Sequence, residues 1–257
     1  MSGTTLVRDV LYRCSTQLHD LAPQFTRWTE RELIAWLNDG QRAIAKYMPY
    51  ACSRVDALRL VTGTKQSIDS IPGTSIINGD GSTSVLVRGA SLLNIRRSLG
   101  TDGVTPGLAM RIVAGEVLDS VYPGWHNRTG VPTQYIFDPQ TPKVFYVSPG
   151  VAAGVTQWVE VAYLASPNEL VSTGSFGMDG SSTTPISIDD KYVDDLVNYI
   201  LARAYMKDAE FAADGGLAQA HSAQFIASIN AQVAALTGAN PNLQRLPFNP
   251  NLPGAAK

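Results

Sequence analysis

The N-terminal part of the chain alternates apolar and polar positions at helical spacing and predicts two helices. The first helix has one apolar stripe, made of Val7, Val10, Leu11, Cys14 and Leu18. The second begins with a capping box, in which Thr29 caps the amide of Glu32 and the Glu32 carboxylate reaches back to the Thr29 amide. Its broad apolar face consists of Leu33, Ile34, Trp36, Leu37, Ile44, Tyr47 and Met48. Pro49 ends this helix.

From Cys52 onward the pattern changes to short apolar runs separated by turn residues, which predicts strands. The clearest hairpin joins residues 134–137 to residues 143–147 through Asp138-Pro139-Gln140-Thr141-Pro142. Residues 157–165 alternate as a further strand. One face of it carries Trp158, Glu160 and Ala162, and the other carries Val159, Val161 and Tyr163. Regular turns between short strands favour an antiparallel sandwich or a barrel-like domain.

Helical spacing returns after the Gly/Ser/Thr-rich residues 174–184. Asp189 and Asp190 favour a helix start, because carboxylates are stabilised at a helix N-terminus. Gly215-Gly216 predicts a break after this helix. The last helix carries Phe225, Ile226, Ile229, Val233 and Leu236 and stops at Thr237-Gly238. Residues 239–257, with four prolines and four asparagines, predict an extended segment that becomes ordered on binding.

The order of these elements predicts an α+β fold. We expect a bundle formed by the helices of both ends, with an inserted antiparallel β-sandwich or barrel-like domain. The expected division is residues 1–51 for the first helices, 52–188 for the β domain, 189–238 for the last helices, and 239–257 for the extended tail.

Composition indicates a soluble protein made in the cytoplasm. Charged residues make up only 16% of the chain, below the roughly 25% of most soluble domains. Such a low charge content fits a surface that contacts other proteins and fits an ordinary, weakly charged soluble surface equally well. The net charge of −2 gives no basic field that would attract nucleic acid. No apolar run is long enough to span a membrane, and no leader opens the chain. Cys14 and Cys52 are expected to be unpaired.

No motif in the chain predicts catalysis, a cofactor or a metal. His19, His126 and His221 are isolated and lack metal-ligand spacing. The acid pairs Asp189/Asp190 and Asp194/Asp195 resemble a glycosidase dyad only by proximity in sequence. Their place at a helix start explains them more simply, so we expect no enzyme activity.

Arginines supply the candidates for contact with DNA. Arg96, Arg97 and Arg111 could face a DNA passage, although no aromatic residues are interleaved with them. Ordinary charges at strand edges or in loops are the alternative interpretation.

The helix that starts with Trp28-Thr29-Glu30-Arg31-Glu32-Leu33 and continues with Trp36-Leu37-Asn38-Asp39-Gly40-Gln41 resembles a helix of tailed-bacteriophage head-to-tail adaptor proteins. The Pro132 to Pro149 hairpin and the Tyr192 to Tyr205 helix resemble later parts of that family. The resemblance extends from about residue 5 to about residue 236 and rests on the order of the elements.

This resemblance implies a structural virion protein at the head–tail junction, without enzyme activity. It implies a homo-oligomeric, dodecameric ring bound beneath the portal protein. Such a ring extends the channel through which double-stranded DNA passes and presents a platform to the tail tube or nozzle protein.

The C-terminal tail is the candidate segment for contact with the portal or with a neighbouring subunit. Its apolar side chains are separated by polar and proline residues, which suits binding coupled to ordering. The candidate contact residues are Leu243, Leu246, Phe248 and Leu252.

Two rival functions remain open at this point. A tail-associated carbohydrate- or receptor-binding β module predicts an exposed aromatic cluster, for which the candidates are Trp125, Trp158, Tyr122 and Tyr135. The same residues could instead fill a sandwich core. A hydrolase acting on cell wall or glycan predicts that Asp189 and Asp190 line a cleft.

Overall fold

The computed structural model of the chain describes residues 4–20, 27–69, 75–77, 83–85, 89–170, 184–207 and 212–239. These ranges contain five α-helices: α1 Val7–Leu18, α2 Glu30–Tyr47, α3 Gly115–Val121, α4 Val193–Lys207 and α5 Ala212–Ala239. They also contain ten strands: β1 Ser53–Arg59, β2 Gly63–Ser67, β3 Ser75–Ile77, β4 Thr83–Val85, β5 Gly89–Leu99, β6 Pro106–Ala109, β7 Arg111–Ile112, β8 Gln134–Phe137, β9 Val144–Val151 and β10 Trp158–Ala165. The predicted α+β class is confirmed.

The strands form two open sheets. The six-stranded sheet has the order β4-β3-β1-β10-β5-β6, and the four-stranded sheet has the order β2-β9-β8-β7. The described pairs are antiparallel except for β7 with β8, which is parallel. Neither sheet closes on itself within the described strands, so the barrel-like form of the prediction is wrong. The parallel edge arises because the connection from β7 to β8 is a crossover that contains the short helix α3, not a hairpin.

The two sheets share one hydrophobic core. Its buried members are Leu58, Leu60, Ile68, Leu92, Ile95, Met110, Tyr135, Phe145, Val147, Val151, Val159, Val161, Tyr163 and Ala165. The predicted alternation of β10 is confirmed, because Val159, Val161 and Tyr163 all lie in this core. Trp158, on the opposite face of the strand, belongs to a separate small cluster.

A second core joins the helices of both ends of the chain. It draws on α1, α2, α4 and α5 and on the segments next to α2 and α4; members include Val10, Leu11, Leu33, Leu37, Ile44, Ile186, Tyr192, Leu196, Ile200, Phe225 and Ile229. The two cysteines are free and buried here, as predicted. Burial raises the pKa of Cys14 to about 12 and that of Cys52 to about 11, so both thiols stay protonated at neutral pH.

The start of α2 follows the predicted capping box. The Thr29 hydroxyl accepts a hydrogen bond from the Glu32 amide at 3.4 Å, and the Thr29 amide donates to the Glu32 carboxylate at 3.1 Å. Lys207 of α4 lies 2.8 Å from the same carboxylate, and this contact is the main cause of the lowered pKa of Glu32. The other end departs from the prediction. Tyr47 was expected on the apolar face but is exposed, since it lies in the last turn, beside Lys46.

The predicted break at Gly215-Gly216 is wrong, because both glycines lie inside α5. A glycine in a helix interior costs only about 1 kcal/mol relative to alanine. Packing of Phe225 and Ile229 into the helical core offsets such a cost. The short helix α3 was not predicted, because it buries only Leu118 and therefore shows no helical periodicity in the sequence.

The β region joins the helices through two neighbouring strands. Ser53, which follows the helical segment directly, lies opposite Leu164 near the return to the helices. Arg59 lies opposite Trp158 at the other end of the same pair. Six residue steps of a strand separate these two levels by about 20 Å. The β5–β6 hairpin turn lies at this far end, because Leu99 also pairs with Trp158.

Candidate interaction surfaces

The carboxylate of Asp190 holds the N-terminal segment against the start of α4. It accepts hydrogen bonds from the Thr4 amide at 2.9 Å, the Thr4 hydroxyl at 2.6 Å and the Thr5 amide at 2.8 Å. These bonds favour the ionised form and hold the pKa of Asp190 well below its usual range. Asp189 accepts a hydrogen bond from the Lys191 amide at 3.1 Å and caps the helical turn that precedes α4. Both acids therefore serve the fold.

The second acid pair is also engaged. Asp194 lies 3.4 Å from the guanidinium of Arg13 in α1. Asp195 is buried, and its carboxylate accepts a hydrogen bond from the Gln232 amide of α5 at 2.7 Å. Asp190, Asp194 and Asp195 thus hold neighbouring segments against α4, and Asp189 caps the turn before it.

The histidines do not come together. His221 contacts Asn198 at 2.9 Å and stacks on Tyr205, and burial lowers its pKa. His126 stacks on Trp125 with ring centroids 3.6 Å apart. Within the described part of the chain, no three His, Cys, Asp or Glu side chains lie close enough together to hold a metal ion.

The aromatic cluster expected of a carbohydrate-binding module is not assembled. Trp125, Trp158 and Tyr135 are buried, and Tyr122 alone of the four candidates is exposed. The indole N–H of Trp125 donates to Asp119 at 2.8 Å, which fixes the ring in place. Three of the candidates therefore fill the interior.

The three candidate arginines differ in their surroundings. Arg97 pairs with Glu160 on the next strand, with Nε 2.7 Å from the carboxylate, so its charge is neutralised. The same contact raises the pKa of Arg97. Arg96 and Arg111 are exposed, and neither has a carboxylate partner among the described residues. The Met110 amide donates to the Arg96 carbonyl at 3.1 Å, whereas the amide of the next residue, Arg111, donates to the Thr133 carbonyl at 3.1 Å.

Several of the large apolar side chains that the structure describes in the β region are exposed. Those between residues 104 and 131 are Val104, Leu108, Ile112, Val117, Val121, Tyr122 and Val131.

Over residues 4–245 the chain matches the family described as SU10 adaptor protein. The chain belongs to the SU10 adaptor protein family. No curated protein matches it.

Membership of the SU10 adaptor protein family makes this chain a structural adaptor protein of a bacteriophage and a component of the virion. The resemblance to phage head-to-tail adaptors is thereby confirmed. No described helix of the adaptor is both long and apolar enough to cross a membrane.

The sequence alone did not reveal two features of this adaptor. The first is the exposure of Leu108 on β6 and Ile112 on β7, because exposure depends on which strands become sheet edges. The second is the contact of Asn38 in α2 with the chain returning from the β region. The predicted contact residues of the tail lie outside the described residues: Leu243, Leu246, Phe248 and Leu252.

Proposed function

We propose that this adaptor forms a homo-oligomeric, dodecameric ring between the portal protein and the tail tube or nozzle protein, and that the ring extends the channel for double-stranded DNA. The observation that carries the proposal is the family match over nearly the whole chain, residues 4–245. The ring acts by shape and contact, without chemistry. Cryo-electron microscopy of the isolated head–tail junction tests it: a ring of this chain is expected between the two partners, and its absence there would overturn the proposal.

The architecture supports a ring subunit. Closure into a cyclic ring requires each copy to present two different surfaces to its two neighbours. The chain offers two parts of different composition for such surfaces, one around the helical core and one around the β core, which the paired strands β1 and β10 connect. Lateral contacts that are weak for one pair become strong when a portal holds many copies together.

The C-terminal tail is our proposed contact with the portal. Residues 240–257 follow directly on α5 and could extend over about 60 Å. Apolar side chains in such a segment can insert into pockets of a partner while the prolines limit the entropy that is lost. The proposed contact residues are Leu243, Leu246, Phe248 and Leu252.

Two variants test the role of the tail. Deletion of residues 240–257 leaves α5 intact, and replacement of the four apolar residues by serine keeps the length of the tail. Both variants should elute as the wild type does when alone, and both should lose portal binding in size-exclusion chromatography. Unchanged portal binding by both variants would show that the tail is not the contact.

The DNA channel is part of the same proposal, with Arg96, Arg97 and Arg111 as the predicted residues that face it. The ion pair of Arg97 with Glu160 leaves Arg96 and Arg111 as the more available cations. Their contacts with DNA would be non-specific and would weaken as salt concentration rises.

A further inference from the structure

Helix α5 packs on α4 along one side. The side-chain amide of Gln232 donates to the Asp195 carboxylate of α4 at 2.7 Å. Ala218, Phe225 and Ile229 are buried, and their spacing places them on this same side of the helix. Because the buried positions run from residue 218 to residue 232, the opposite side of α5 is turned away from α4 over the same length.

The side that is turned away from α4 is a continuous, uncharged surface. Its positions fall within an arc of about 100° around the helix, at about 100° per residue, so their side chains share one face. Ile226, with 54% of its surface exposed, is the largest of them. Between residues 215 and 235 the sequence contains no Asp, Glu, Lys or Arg. The α5 outer face consists of the exposed residues Gln219, Ala223, Ile226, Ala227, Asn230 and Ala234.

The exposed side of α2 has a different composition. It carries the charged residues Arg31, Asp39, Arg42 and Lys46, as is usual for the side of a helix that meets water. The centres of protein–protein contacts are instead depleted of charged residues, because removal of a charge from water costs free energy unless the charge is paired. The α5 outer face therefore has the composition of a surface that another protein covers.

We propose that a second copy of this chain covers the α5 outer face, and that this contact is a lateral contact of the ring. The inference rests on the proposed function. In a ring, the channel side faces DNA and the outer side faces water, and both favour charged side chains. The tail that is proposed for the portal continues from the C-terminal end of α5, which leaves the side of this helix for a neighbouring copy.

The size of the α5 outer face agrees with a lateral contact. Residues 215–235 span about 30 Å of a helix about 10 Å wide, so the face offers roughly 300 Å². A stable complex of two proteins buries about 800 Å² on each partner. The face is thus too small to hold two free copies together, but it contributes once a portal holds many copies side by side. Its counterpart on the neighbour is a different surface, as ring closure requires.

Crosslinking identifies the occupant of the face. A benzophenone is attached to the introduced thiol of Ala223→Cys, and Ala35→Cys on the exposed side of α2 is the control. Cys14 and Cys52 are buried and stay protonated, so the label reacts with the introduced thiol. The labelled adaptor is mixed with the portal protein and the tail tube or nozzle protein of the same phage.

The Ala223→Cys variant should crosslink one adaptor to another in the assembled complex, and Ala35→Cys should give far less of this product. Mass spectrometry of the product then locates the counterpart on the neighbouring copy. A crosslink from Ala223→Cys to the portal or to the tail-side protein would overturn the inference, and so would the absence of an adaptor–adaptor product.

A charge placed within the face measures how much the contact contributes. Ala227→Glu introduces a carboxylate there, and Ala35→Glu is the matched control in α2. Circular dichroism and thermal unfolding verify that each variant folds. Native mass spectrometry, with fewer adaptors than portal sites, then counts the adaptors bound to each portal.

Wild type and Ala35→Glu should cluster on some portals and leave others empty, because neighbouring copies stabilise one another. Ala227→Glu should spread evenly over the portals and need about tenfold more adaptor to half-fill them, because it buries an unpaired charge. If Ala227→Glu fills portals as the wild type does, the face is not a lateral contact. If the wild type does not bind the portal at all, the proposed function fails, and the inference fails with it.

Discussion

Asn38 in α2 holds the backbone of Leu170 with both ends of its side-chain amide. Its Nδ2 donates to the Leu170 carbonyl at 2.8 Å, and its Oδ1 accepts from the Leu170 amide at 3.0 Å. One turn further along α2, the Oε1 of Gln41 accepts from the Ser187 amide at 2.7 Å. Two polar side chains of one helix thus fix the chain where it leaves the β region and where it approaches α4.

Replacement of Asn38 by alanine should therefore destabilise the protein by about 1–3 kcal/mol, because the backbone groups of Leu170 lose a buried partner. Chemical denaturation measures the change in the free energy of unfolding. Asn127→Ala is the control, at an exposed position, and should stay within about 0.5 kcal/mol of the wild type. An equally small effect of Asn38→Ala would show that the contact does not secure the chain.

The same substitution of glycine by alanine should have opposite effects in α2 and α5. A Cβ at Gly40 would lie 2.6 Å from Cδ1 of Leu196 and 3.0 Å from Cδ1 of Tyr199, so Gly40→Ala should displace these two side chains of α4 and destabilise the protein by about 1–3 kcal/mol. A Cβ at Gly216 meets open space, so Gly216→Ala should stabilise α5 by up to about 1 kcal/mol.

Thermal unfolding of the two variants measures this difference directly. A lower melting temperature for Gly40→Ala and an unchanged or higher one for Gly216→Ala are expected. If Gly40→Ala were as stable as the wild type, the close approach of α2 to α4 would not be a constraint on the sequence.

The comparison of these glycines also shows what sequence could and could not predict. The capping box of Thr29 and the hairpin of β8 and β9 depend on residues close together in the chain, so both were predicted. Gly215-Gly216 carried a local signal for a break, which packing against α4 overrode. The pairing of β1 with β10 joins residues about a hundred positions apart, such as Ser53 and Leu164, and no local pattern encodes it. In the same way, no local pattern shows that β6 and β7 are edge strands of the two sheets, so the exposure of their side chains was not predicted.

The contacts of Asp190 should make stability depend on pH in a defined direction. Its pKa is lower in the folded chain than in the unfolded chain, where aspartate titrates near 3.9. A carboxyl group whose pKa is lower in the folded state stabilises the fold at pH values above its unfolded pKa. This stabilisation is lost as the pH falls through the folded pKa. The stability difference between the wild type and Asp190→Asn should thus be constant from neutral pH down to about 5 and shrink below about 4.

Denaturation series between neutral and acidic pH measure this difference, in which the effects of other acids such as Glu32 cancel. Asp194→Asn is the matched control, since its exposed carboxylate makes only a 3.4 Å contact with Arg13. If the stability difference between the wild type and Asp190→Asn grew on acidification, the pKa of Asp190 would not be lowered in the folded chain.

Loss of one buried hydroxyl should weaken the β region. The Tyr163 hydroxyl donates to the Asp56 carboxylate at 2.8 Å, and both residues are buried. Burial, followed by the nearby negative charge, raises the pKa of Tyr163, so the phenol keeps its proton. Tyr163→Phe should destabilise the protein by about 1–3 kcal/mol in chemical denaturation, because a buried carboxylate loses its donor. Tyr122→Phe, at an exposed ring, should be neutral, and equal effects of the two variants would contradict this role.

The most direct test of the ring is light scattering coupled to size-exclusion chromatography, on the adaptor alone and then mixed with the portal protein of the same phage. The portal peak should shift to a mass that corresponds to one adaptor for each portal subunit. If the two proteins elute separately at every salt concentration, the adaptor does not assemble on the portal and the proposed ring is wrong.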